Sequence, residues 1–344
     1  MYKKNEIIFS SLSLVPEYIL EMMQINKVNI VFLDAYTNNP GDIVFDPISK
    51  LGNLNTYDRT DEKDLKNRCE EAEIVIVNKF PVNEVTLAKM PNVKFIVVAA
   101  TGYNNISIDV VKNRNIPVSN VKGYSAESVT QHVFASIFAL LNKTDYYNLE
   151  VRNGRWSACP DFCFFDHSIT EIAGKVMGIF GYGSIGKRVA EVAFAFGMHV
   201  FVTVNKPIYD KPDYITMVDK DTLFKKSDFL SLHCPLTNDT KEMINSDNLN
   251  KMKKQAILIN TARGALVNEN DLLYALENGI ISAAIIDVMN VEPPIQTNPL
   301  LTHPKCMVTP HLAWASQASR IRLMQGVADN IAAYLNGKIV NCIY

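Results

Sequence analysis

The sequence predicts an α/β fold with two doubly wound domains and largely parallel sheets. Short apolar runs alternate with helical patterns along most of the chain. A long helix predicted over Ala126–Asn142 separates two such series of strands. At 344 residues the chain is also too long for one ordinary compact domain. Together these observations indicate two domains, each built around its own sheet.

The individual elements follow from apolar runs bounded by turn-forming residues. In the first series the predicted strands are Ile30–Leu33, Glu73–Val77, Lys94–Ala99 and Pro117–Ser119, with helices at Asp61–Ala72 and Asn83–Met90. In the second series they are Val176–Phe180, His199–Thr203, Phe229–His233, Ala256–Asn260, Ala283–Ile286 and Met307–Val308. A last helix, Ser316–Leu335, predicts a return of the chain to the first domain. We therefore expect a first domain of residues 1–123 and 316–344, with a domain of residues 124–315 inserted into it.

A glycine-rich turn follows the first strand of the second series. Its three glycines have the G-x-G-x-x-G spacing and lie between a strand and a predicted helix. Such glycines permit a tight bend, a close approach of a pyrophosphate to the backbone, and close packing of helix on strand. The helix N-terminus adds unpaired N–H groups for phosphate oxygens. The turn predicts a dinucleotide site in a Rossmann-like domain, with contacts from Gly181, Gly183, Ser184, Ile185 and Gly186.

The residues after the second strand of this domain leave open which nicotinamide dinucleotide is bound. An NAD site usually carries Asp or Glu here, which binds the ribose and repels a 2′-phosphate. Val204 occupies that position, and Asn205 and Lys206 follow it. Asn205 can bind a ribose hydroxyl and Lys206 can attract a phosphate, although Lys206 is also consistent with a solvated loop residue. We expect NAD(P)(H) as the cofactor, with the preference open.

Composition excludes several classes of protein. The chain is 48% hydrophobic and 20% charged with a net charge of −2, so we expect no nucleic-acid partner. No apolar run reaches the roughly 18 residues of a membrane span. The six cysteines form no C-x-x-C pair, so we expect reduced thiols in the cytoplasm and no metal site. Residues 1–22 precede the first strand and are expected to be dispensable, whether as an extension or as a small added helix.

Arg263, Glu292 and His311 each follow one of the later strands. Ligands of an open α/β sheet bind beyond the carboxyl ends of its strands, so we expect the three side chains to converge. Hydride transfer to a 2-keto acid leaves a developing alkoxide, which needs a proton and a positive field. His311 can donate the proton, and Glu292 can orient the imidazole. Arg263 can bind the substrate carboxylate and polarise the carbonyl.

With these motifs the sequence resembles the D-isomer-specific 2-hydroxyacid dehydrogenase family from about Val28 to the C-terminus. The resemblance implies that Arg263, Glu292 and His311 are catalytic. It also implies that N–H groups of Thr101 and Gly102 bind the substrate carboxylate. Further implied cofactor contacts are His233, Cys234, Pro235, Thr261, Ala262, Arg263, Asp287 and His311. The family pattern includes a discontinuous, flavodoxin-like substrate domain and a homodimer formed through the dinucleotide domains.

Three stretches are most similar to the glycerate dehydrogenases of this family, also called hydroxypyruvate reductases: Asp34–Asp42, Arg152–Ser157 and Pro310–Ser316. They imply reduction of hydroxypyruvate or glyoxylate. A formate enzyme is disfavoured, because the formate members have Gln where this chain has Glu292. Two alternatives stay open: a dinucleotide-sensing binding protein on the same scaffold, and a reductase of bulkier 2-keto acids.

Overall fold

The computed structural model of the chain describes residues 27–204 and 210–344. These residues form two compact units: a discontinuous unit of residues 27–122 and 323–344, and a central unit of residues 123–322. Residues 1–22, for which the sequence predicts dispensability, lie outside the described part of the chain. In residues 27–204 and 210–344, no helix is long and apolar enough to cross a membrane.

The second division between the units lies inside the last helix, Gln317–Leu335, after Arg322. The sequence instead predicts a domain boundary at the start of this helix. Hydrogen bonds give a physical reason for the difference. Ser319 Oγ and Arg322 Nε, both in the first part of the helix, donate to the Tyr124 carbonyl of the central unit. The start of the helix is therefore fixed to the central unit.

A five-stranded parallel sheet lies at the centre of the discontinuous unit. Its strands are β1 (Asn29–Phe32), β2 (Asn53–Thr56), β3 (Ile74–Val77), β4 (Phe95–Val98) and β5 (Val118–Asn120). Its helices are α1 (Asp46–Ser49), α2 (Leu65–Cys69), α3 (Glu84–Ala88) and α4 (Ile108–Asn113), together with the end of the last helix. The strand order β2-β1-β3-β4-β5 is the flavodoxin-like order.

The strands that the sequence predicts are the buried ones, because burial on both faces requires an apolar run that can be recognised. All of β3 and β4 is buried, as expected for parallel strands covered on both faces. In contrast, β2 reads Asn-Leu-Asn-Thr and is largely exposed at the sheet edge, so no apolar run marks it. The start of α3 is fixed locally by a capping box, in which the Asn83 side chain accepts from Thr86 N and Asn83 N donates to Thr86 Oγ1.

A seven-stranded parallel sheet forms the central unit. Its strands are β6 (Val176–Phe180), β7 (His199–Thr203), β8 (Ile215–Met217), β9 (Phe229–Leu232), β10 (Ile257–Asn260), β11 (Ala283–Ile286) and β12 (Cys306–Val308). Its helices are α5 (Ala126–Asn142), α6 (Thr144–Arg152), α7 (Ser184–Ala195), α8 (Lys220–Lys226), α9 (Ser246–Leu249), α10 (Glu269–Glu277) and the start of α11 (Gln317–Leu335). The order β8-β7-β6-β9-β10-β11-β12 is the Rossmann order with one further strand.

The strand order of the central unit reverses between β6 and β9, and this switch point positions the site. Leu258 packs in the hydrophobic core on one face of the sheet, and Ile257 and Ile259 pack in the core on the other. Gly178 in β6 lets Ser227 lie against the strand, because an added Cβ would collide with the Ser227 side chain. With both faces covered, the carboxyl ends of the strands are left for ligands.

Candidate active site

The glycine-rich turn lies at the carboxyl end of β6 and leads into α7. Gly181 has a φ of +98°, and a Cβ there would lie 2.6 Å from His233 O. A Cβ on Gly186 would collide with the Gly181 carbonyl, so helix and strand pack closely. A Cβ on Gly183 would meet no atom within 4 Å, so the backbone is open there. This shape fits a pyrophosphate.

Ser184 and Ile185 form the first turn of α7, where backbone N–H groups have no acceptor within the helix. The backbone hydrogen bond from Lys187 N to Gly183 O, 2.9 Å long, shows that N–H groups bond within the helix only from Lys187 onward. A cavity of about 610 Å³ opens beside this turn, and Tyr182, Lys187 and Asp210 are among its lining residues. The structure thus brings the predicted phosphate contacts together at one helix N-terminus.

The loop after β9 packs on the glycine-rich turn, because the Gly181 backbone lies against His233 and Cys234. The His233 ring is hydrogen-bonded to Ser231 Oγ at 2.8 Å, and burial lowers the pKa of His233 to about 3. Burial raises the pKa of the Cys234 thiol to about 11. Pro235, the third predicted contact in this loop, is exposed. Near neutral pH this part of the predicted cofactor site therefore carries no charge.

The neutral His233 ring should make the stability of the fold depend on pH. Its folded pKa is lowered, so the unfolded chain binds the proton first, and stability falls as the pH drops below about 6.5. Between pH 7 and pH 5 we expect a loss of about 2 kcal/mol in the free energy of unfolding. Denaturant titrations should show this loss in the wild type and in the exposed control His199→Gln, but not in His233→Gln. An equal loss in His233→Gln would contradict it.

Val204 directly follows β7 and is partly buried against the hydrophobic core. Its side chain offers no acceptor for a ribose hydroxyl. Asn205 and Lys206, the other predicted contacts near the adenosine ribose, lie outside the described residues. The first position after β7 therefore lacks the acidic side chain that is typical of NAD sites.

The loop after β10 is shaped by Asn260, whose side chain is fully buried. Asn260 Nδ2 donates to Arg263 O at 2.8 Å, and Asn260 Oδ1 accepts from Ala262 N at 3.1 Å. The hydroxyl of Thr261 is buried and has no hydrogen-bond partner among the described residues. These contacts fix the backbone of the predicted cofactor contacts Thr261 and Ala262 and orient Arg263.

Gly264 brings the loop after β10 next to the loop after β11, because an added Cβ would collide with the Met289 backbone. Arg263 Nη1 donates to Ala262 O at 2.6 Å. Burial lowers the pKa of Arg263, and the nearby Glu292 carboxylate opposes that shift. The guanidinium is therefore largely desolvated and lies close to the predicted acid–base pair.

Glu292 and His311 form the closest pair of the predicted catalytic set. His311 Nδ1 lies 2.7 Å from Glu292 Oε2, and Glu292 Oε1 accepts from Met289 N at 2.9 Å. The two side chains are 27% and 36% exposed, His311 first. Since Nδ1 is bonded to the carboxylate, Nε2 is the ring nitrogen available to a substrate.

Asp287, one of the implied cofactor contacts, is 1% exposed at the end of β11. Its Oδ1 accepts from Thr309 Oγ1 at 2.6 Å and from Leu312 N at 3.0 Å, and its Oδ2 accepts from Ala313 N at 3.0 Å. The carboxylate therefore organises the turn that carries His311. Oδ2 accepts one bond from described residues, so it can accept another from an amide donor.

Two aromatic side chains beside this set were not predicted as functional. Trp314 Nε1 donates to His311 O at 2.9 Å. The Tyr124 ring meets the Trp314 ring edge-on, with centroids 6.4 Å apart, and burial raises the pKa of Tyr124 although Arg263 opposes that shift. Trp314 belongs to Pro310–Ser316, a stretch that carried the family resemblance, so the sequence could have marked it as a candidate site residue. Tyr124 precedes α5 without any local signal.

In the discontinuous unit, Thr101 and Gly102 follow β4. Thr101 Oγ1 donates to Val121 O at 2.8 Å, and Asn120 Nδ2 donates to Thr101 O at 2.6 Å. The N–H groups of Thr101 and Gly102 donate to no other described residue. They are therefore available to an anion, as the resemblance implies.

Asp34 organises a second loop of the discontinuous unit, the one after β3. Asp34 Oδ1 accepts from Asn78 N at 2.7 Å, and Oδ2 accepts from Lys79 N at 2.6 Å and Phe80 N at 2.7 Å. Asn105 Nδ2 donates to Phe80 O at 2.9 Å, which joins this loop to the one that follows β4. Within the Asp34–Asp42 stretch, Asp34 thus fixes the backbone of this loop through three N–H groups, and Thr37 Oγ1 accepts a further bond from Asn78 Nδ2 at 2.7 Å.

The pyrophosphate-shaped turn at a Rossmann switch point and the Arg–Glu–His set at neighbouring strand ends define a class, the nicotinamide-dinucleotide-dependent oxidoreductases. The chain belongs to the D-isomer-specific 2-hydroxyacid dehydrogenase family, whose NAD-binding domain matches residues 134–313. The comparisons confirm the resemblance found in the sequence, the fold class and NAD(P)(H) as the cofactor.

Individual relatives cover nearly the whole chain. The hydroxypyruvate reductase of Blautia hydrogenotrophica is 38% identical over 321 residues, 92% of this chain and 99% of the relative. The glycerate dehydrogenase of Methylorubrum extorquens is 41% identical over 283 residues, 82% of this chain and 88% of the relative. Among solved structures, the acyclic imino acid reductase Bsp5 in complex with NADPH and D-Arg superposes with a TM-score of 0.80. It is 30% identical, over 92% of this chain and all of that chain (100%).

Proposed function

We propose that the protein is a cytoplasmic, homodimeric enzyme that reduces hydroxypyruvate to D-glycerate or glyoxylate to glycolate, with NADH or NADPH. The observation that carries the proposal is the 2.7 Å pair of His311 and Glu292 next to a desolvated Arg263. The two relatives named hydroxypyruvate reductase and glycerate dehydrogenase support this choice of substrate. The absence of any paired cysteine pattern in the sequence supports the location.

The cofactor would be held by the glycine-rich turn and the N-terminus of α7, with Asp287 toward its amide. When bound, the nicotinamide ring supplies the hydride. Arg263 presents a planar guanidinium that can bind the substrate carboxylate at two points and polarise the carbonyl oxygen. In the discontinuous unit, the N–H groups of Thr101 and Gly102, which donate to no other described residue, are proposed donors to a substrate carboxylate because of the family resemblance.

His311 Nε2 is the proposed proton donor to the carbonyl oxygen. Its Nδ1 is bonded to the Glu292 carboxylate, which fixes the orientation of the ring and leaves Nε2 for the substrate. Arg263 adds a positive field where the alkoxide develops, and its desolvation strengthens that field. The imidazole therefore delivers the proton while the guanidinium stabilises the growing negative charge.

The dinucleotide-sensing alternative is less well supported by the geometry. His311 has a φ of +51°, a conformation that side-chain-bearing residues rarely adopt. Backbone bonds from His311 N to Asp287 O, 2.8 Å, and to Thr309 O, 3.0 Å, hold it there. A binding protein needs no acid–base pair held in this way, whereas proton transfer does. A reductase of bulkier 2-keto acids would use the same residues, so only an assay of substrates can distinguish it from the proposed function.

The test of substrate is a panel of hydroxypyruvate, glyoxylate, pyruvate and a branched 2-keto acid, each assayed with NADH and NADPH. We expect the highest kcat/KM for hydroxypyruvate or glyoxylate. The best value for the branched acid would instead support the bulkier-substrate alternative. Binding of NADH by the purified protein without turnover of any 2-keto acid would support the dinucleotide-sensing alternative.

The same panel tests the cofactor. Val204 neither binds a ribose hydroxyl nor repels a 2′-phosphate, and the neighbouring cavity carries both Lys187 and Asp210. We expect turnover with NADPH within about tenfold of turnover with NADH, a gap of about 1.4 kcal/mol. Val204→Asp should shift the preference toward NADH, and Val204→Asn, which adds an acceptor without charge, is the control. A thousandfold rejection of NADPH by the wild type would contradict the prediction and point to Asp210 as the ribose acceptor.

The proposed dimer surface is an apolar arm, residues 144–171, in the central unit. Phe162 and Phe165 of this arm are 89% and 75% exposed. Polar contacts connect the parts of the arm: Arg155 binds both carboxylate oxygens of Asp166, at 2.6 and 2.7 Å, and Trp156 Nε1 donates to Phe162 O at 3.0 Å. A preformed apolar surface of this kind is typical of a protein interface. A second copy of the chain, related by a twofold axis, is the proposed partner.

We expect light scattering to give twice the chain mass for the wild type. The double substitution of Phe162 and Phe165 by Asp places charge at the centre of the apolar arm and should give the single-chain mass. Tyr274→Asp is the matched control, since Tyr274 is an aromatic residue that is 59% exposed on another element, α10. A double variant that keeps the wild-type mass would exclude this surface.

A further inference from the structure

We propose that His132 is a positioning residue for the reaction, which holds the turn of His311 in place through Thr309 and Asp287. The proposal rests on the role of His311 given above. It concerns a side chain on α5 that no sequence motif marks and that lies within the central unit.

Helix α5 contacts the turn of His311 at two points, one helical turn apart. Ser128 Oγ donates to Ala313 O at 2.7 Å, and His132 Nε2 lies 3.1 Å from Thr309 Oγ1. The Ser128 hydroxyl donates to a backbone carbonyl, so this bond anchors the turn without involving a further side chain. The His132 bond instead reaches a hydroxyl that is itself bonded to a buried carboxylate. With 14% of its side chain exposed, His132 is well placed to hold a fixed geometry.

The direction of the hydrogen bonds follows from the groups available. Thr309 Oγ1 lies 2.6 Å from Asp287 Oδ1, and an ionised carboxylate only accepts, so the hydroxyl donates to Asp287. The hydroxyl has a single proton, so it must accept its second bond from His132. His132 Nε2 therefore carries a hydrogen. The same nitrogen lies 3.8 Å from Asp287 Oδ1, so the ring, the hydroxyl and the carboxylate form one compact group.

This chain of bonds ends at the backbone N–H groups of His311 and of the two residues that follow it. Asp287 accepts from the N–H groups of Leu312 and Ala313, and the Asp287 carbonyl accepts from His311 N at 2.8 Å. A residue at positive φ keeps its conformation only where its surroundings impose it. Without a donor at position 132, the Thr309 hydroxyl loses one bond and its orientation toward Asp287 becomes unrestrained. The turn can then relax, and displacing a catalytic group by about 1 Å can cost about a hundredfold in rate.

The first test compares His132→Leu, which removes the donor, with His132→Gln, which keeps an N–H near the position of Nε2. For His132→Leu we expect kcat to fall by about tenfold to a hundredfold, with the KM of the keto acid and the Kd of NADH within about twofold of wild type. His132→Gln should recover most of the lost kcat. Thr309→Val should resemble His132→Leu, and combining the two should cause no further loss.

The second test needs no activity. In the enzyme without cofactor, nitrogen-15 NMR of the histidine rings should show His132 with a hydrogen on Nε2, assigned by its loss in His132→Gln. A ring protonated on Nδ1 alone would overturn the inference, as would normal kcat in His132→Leu or a His132→Gln variant as slow as His132→Leu. If His132→Leu does not fold, Thr309→Val takes its place in every comparison. His311→Ala separates the failure of this inference from the failure of the proposed function. Normal turnover in His311→Ala would refute the proposed role of His311 as proton donor.

Discussion

His311→Ala is expected to lower the kcat of keto-acid reduction by about a hundredfold to ten-thousandfold, the usual contribution of general acid catalysis. The variant loses the proposed proton donor, so the alkoxide must take its proton from water. The Kd of NADH should stay close to the wild-type value, because the phosphate contacts lie on the glycine-rich turn and α7. Steady-state kinetics and fluorescence titration with NADH measure the two quantities.

His303→Ala serves as the matched control for this experiment. His303 is another partly buried histidine of the central unit, and its Nδ1 accepts only from Lys305 N among described residues. It should keep the wild-type kcat. If His311→Ala also kept near-normal turnover at neutral pH, His311 would have no part in proton transfer.

Glu292→Gln tests the pairing with His311 by keeping a hydrogen-bonding side chain and removing its charge. The imidazole would lose the charged acceptor at Nδ1 that fixes its orientation, so we expect the kcat of keto-acid reduction to fall by about tenfold to a hundredfold. The Kd of NADH should stay close to the wild-type value, and steady-state kinetics and fluorescence titration measure the two quantities. A wild-type kcat would show that the 2.7 Å contact does not position the ring.

Arg263→Lys should be far more damaging than its conserved charge suggests. Lysine loses the planar fork that can bind a carboxylate at two points and also reach the carbonyl oxygen. We expect kcat/KM for the keto acid to fall by about a hundredfold or more, as for the loss of a donor to a developing oxyanion. NADH affinity should change little. Arg114→Lys, on the exposed end of α4, should leave both quantities unchanged.

If Arg263→Lys weakened NADH binding as much as keto-acid turnover, Arg263 would act by shaping the loop after β10. The Arg263 backbone is part of that loop, because its carbonyl accepts a hydrogen bond from Asn260 Nδ2. Asn260→Ala separates the two explanations. It should disturb the cofactor side and the substrate side together, since it removes the bonds that hold Ala262 and Arg263.

Much of the fold follows from local patterns. The strands β6, β7 and β11 have the predicted limits, and α5 covers the predicted Ala126–Asn142. These elements are continuous apolar or periodic runs, because both faces of a parallel sheet are covered. The strands β2 and β8 have no such run and lie at sheet edges, where pairing on one side suffices. Their existence depends on the neighbouring strand, which local sequence does not contain.

The functional residues divide in a similar way. The glycine-rich turn was recognisable because its shape depends on three glycines that lie close together in the chain. Arg263, Glu292 and His311 could be chosen by residue type and by their place after successive strands. His132 and Tyr124 carried no comparable signal, and Asp34 was marked only as part of a stretch that carried the family resemblance. Their roles come from contacts with residues 44 or more positions away, such as Asp34 with Asn78 and His132 with Thr309.

By itself, then, the sequence determined the class of fold and the glycine-rich turn and selected the proposed catalytic side chains, since each depends on a short pattern of burial, backbone freedom or chemistry. The tertiary structure alone decided how these side chains are held. Close approach of two loops at Gly264 brings Arg263 toward Glu292, and the Asp287 carboxylate holds His311 at positive φ. Such arrangements arise from packing between strands far apart in the chain, where distance and orientation are set only when the sheet has formed.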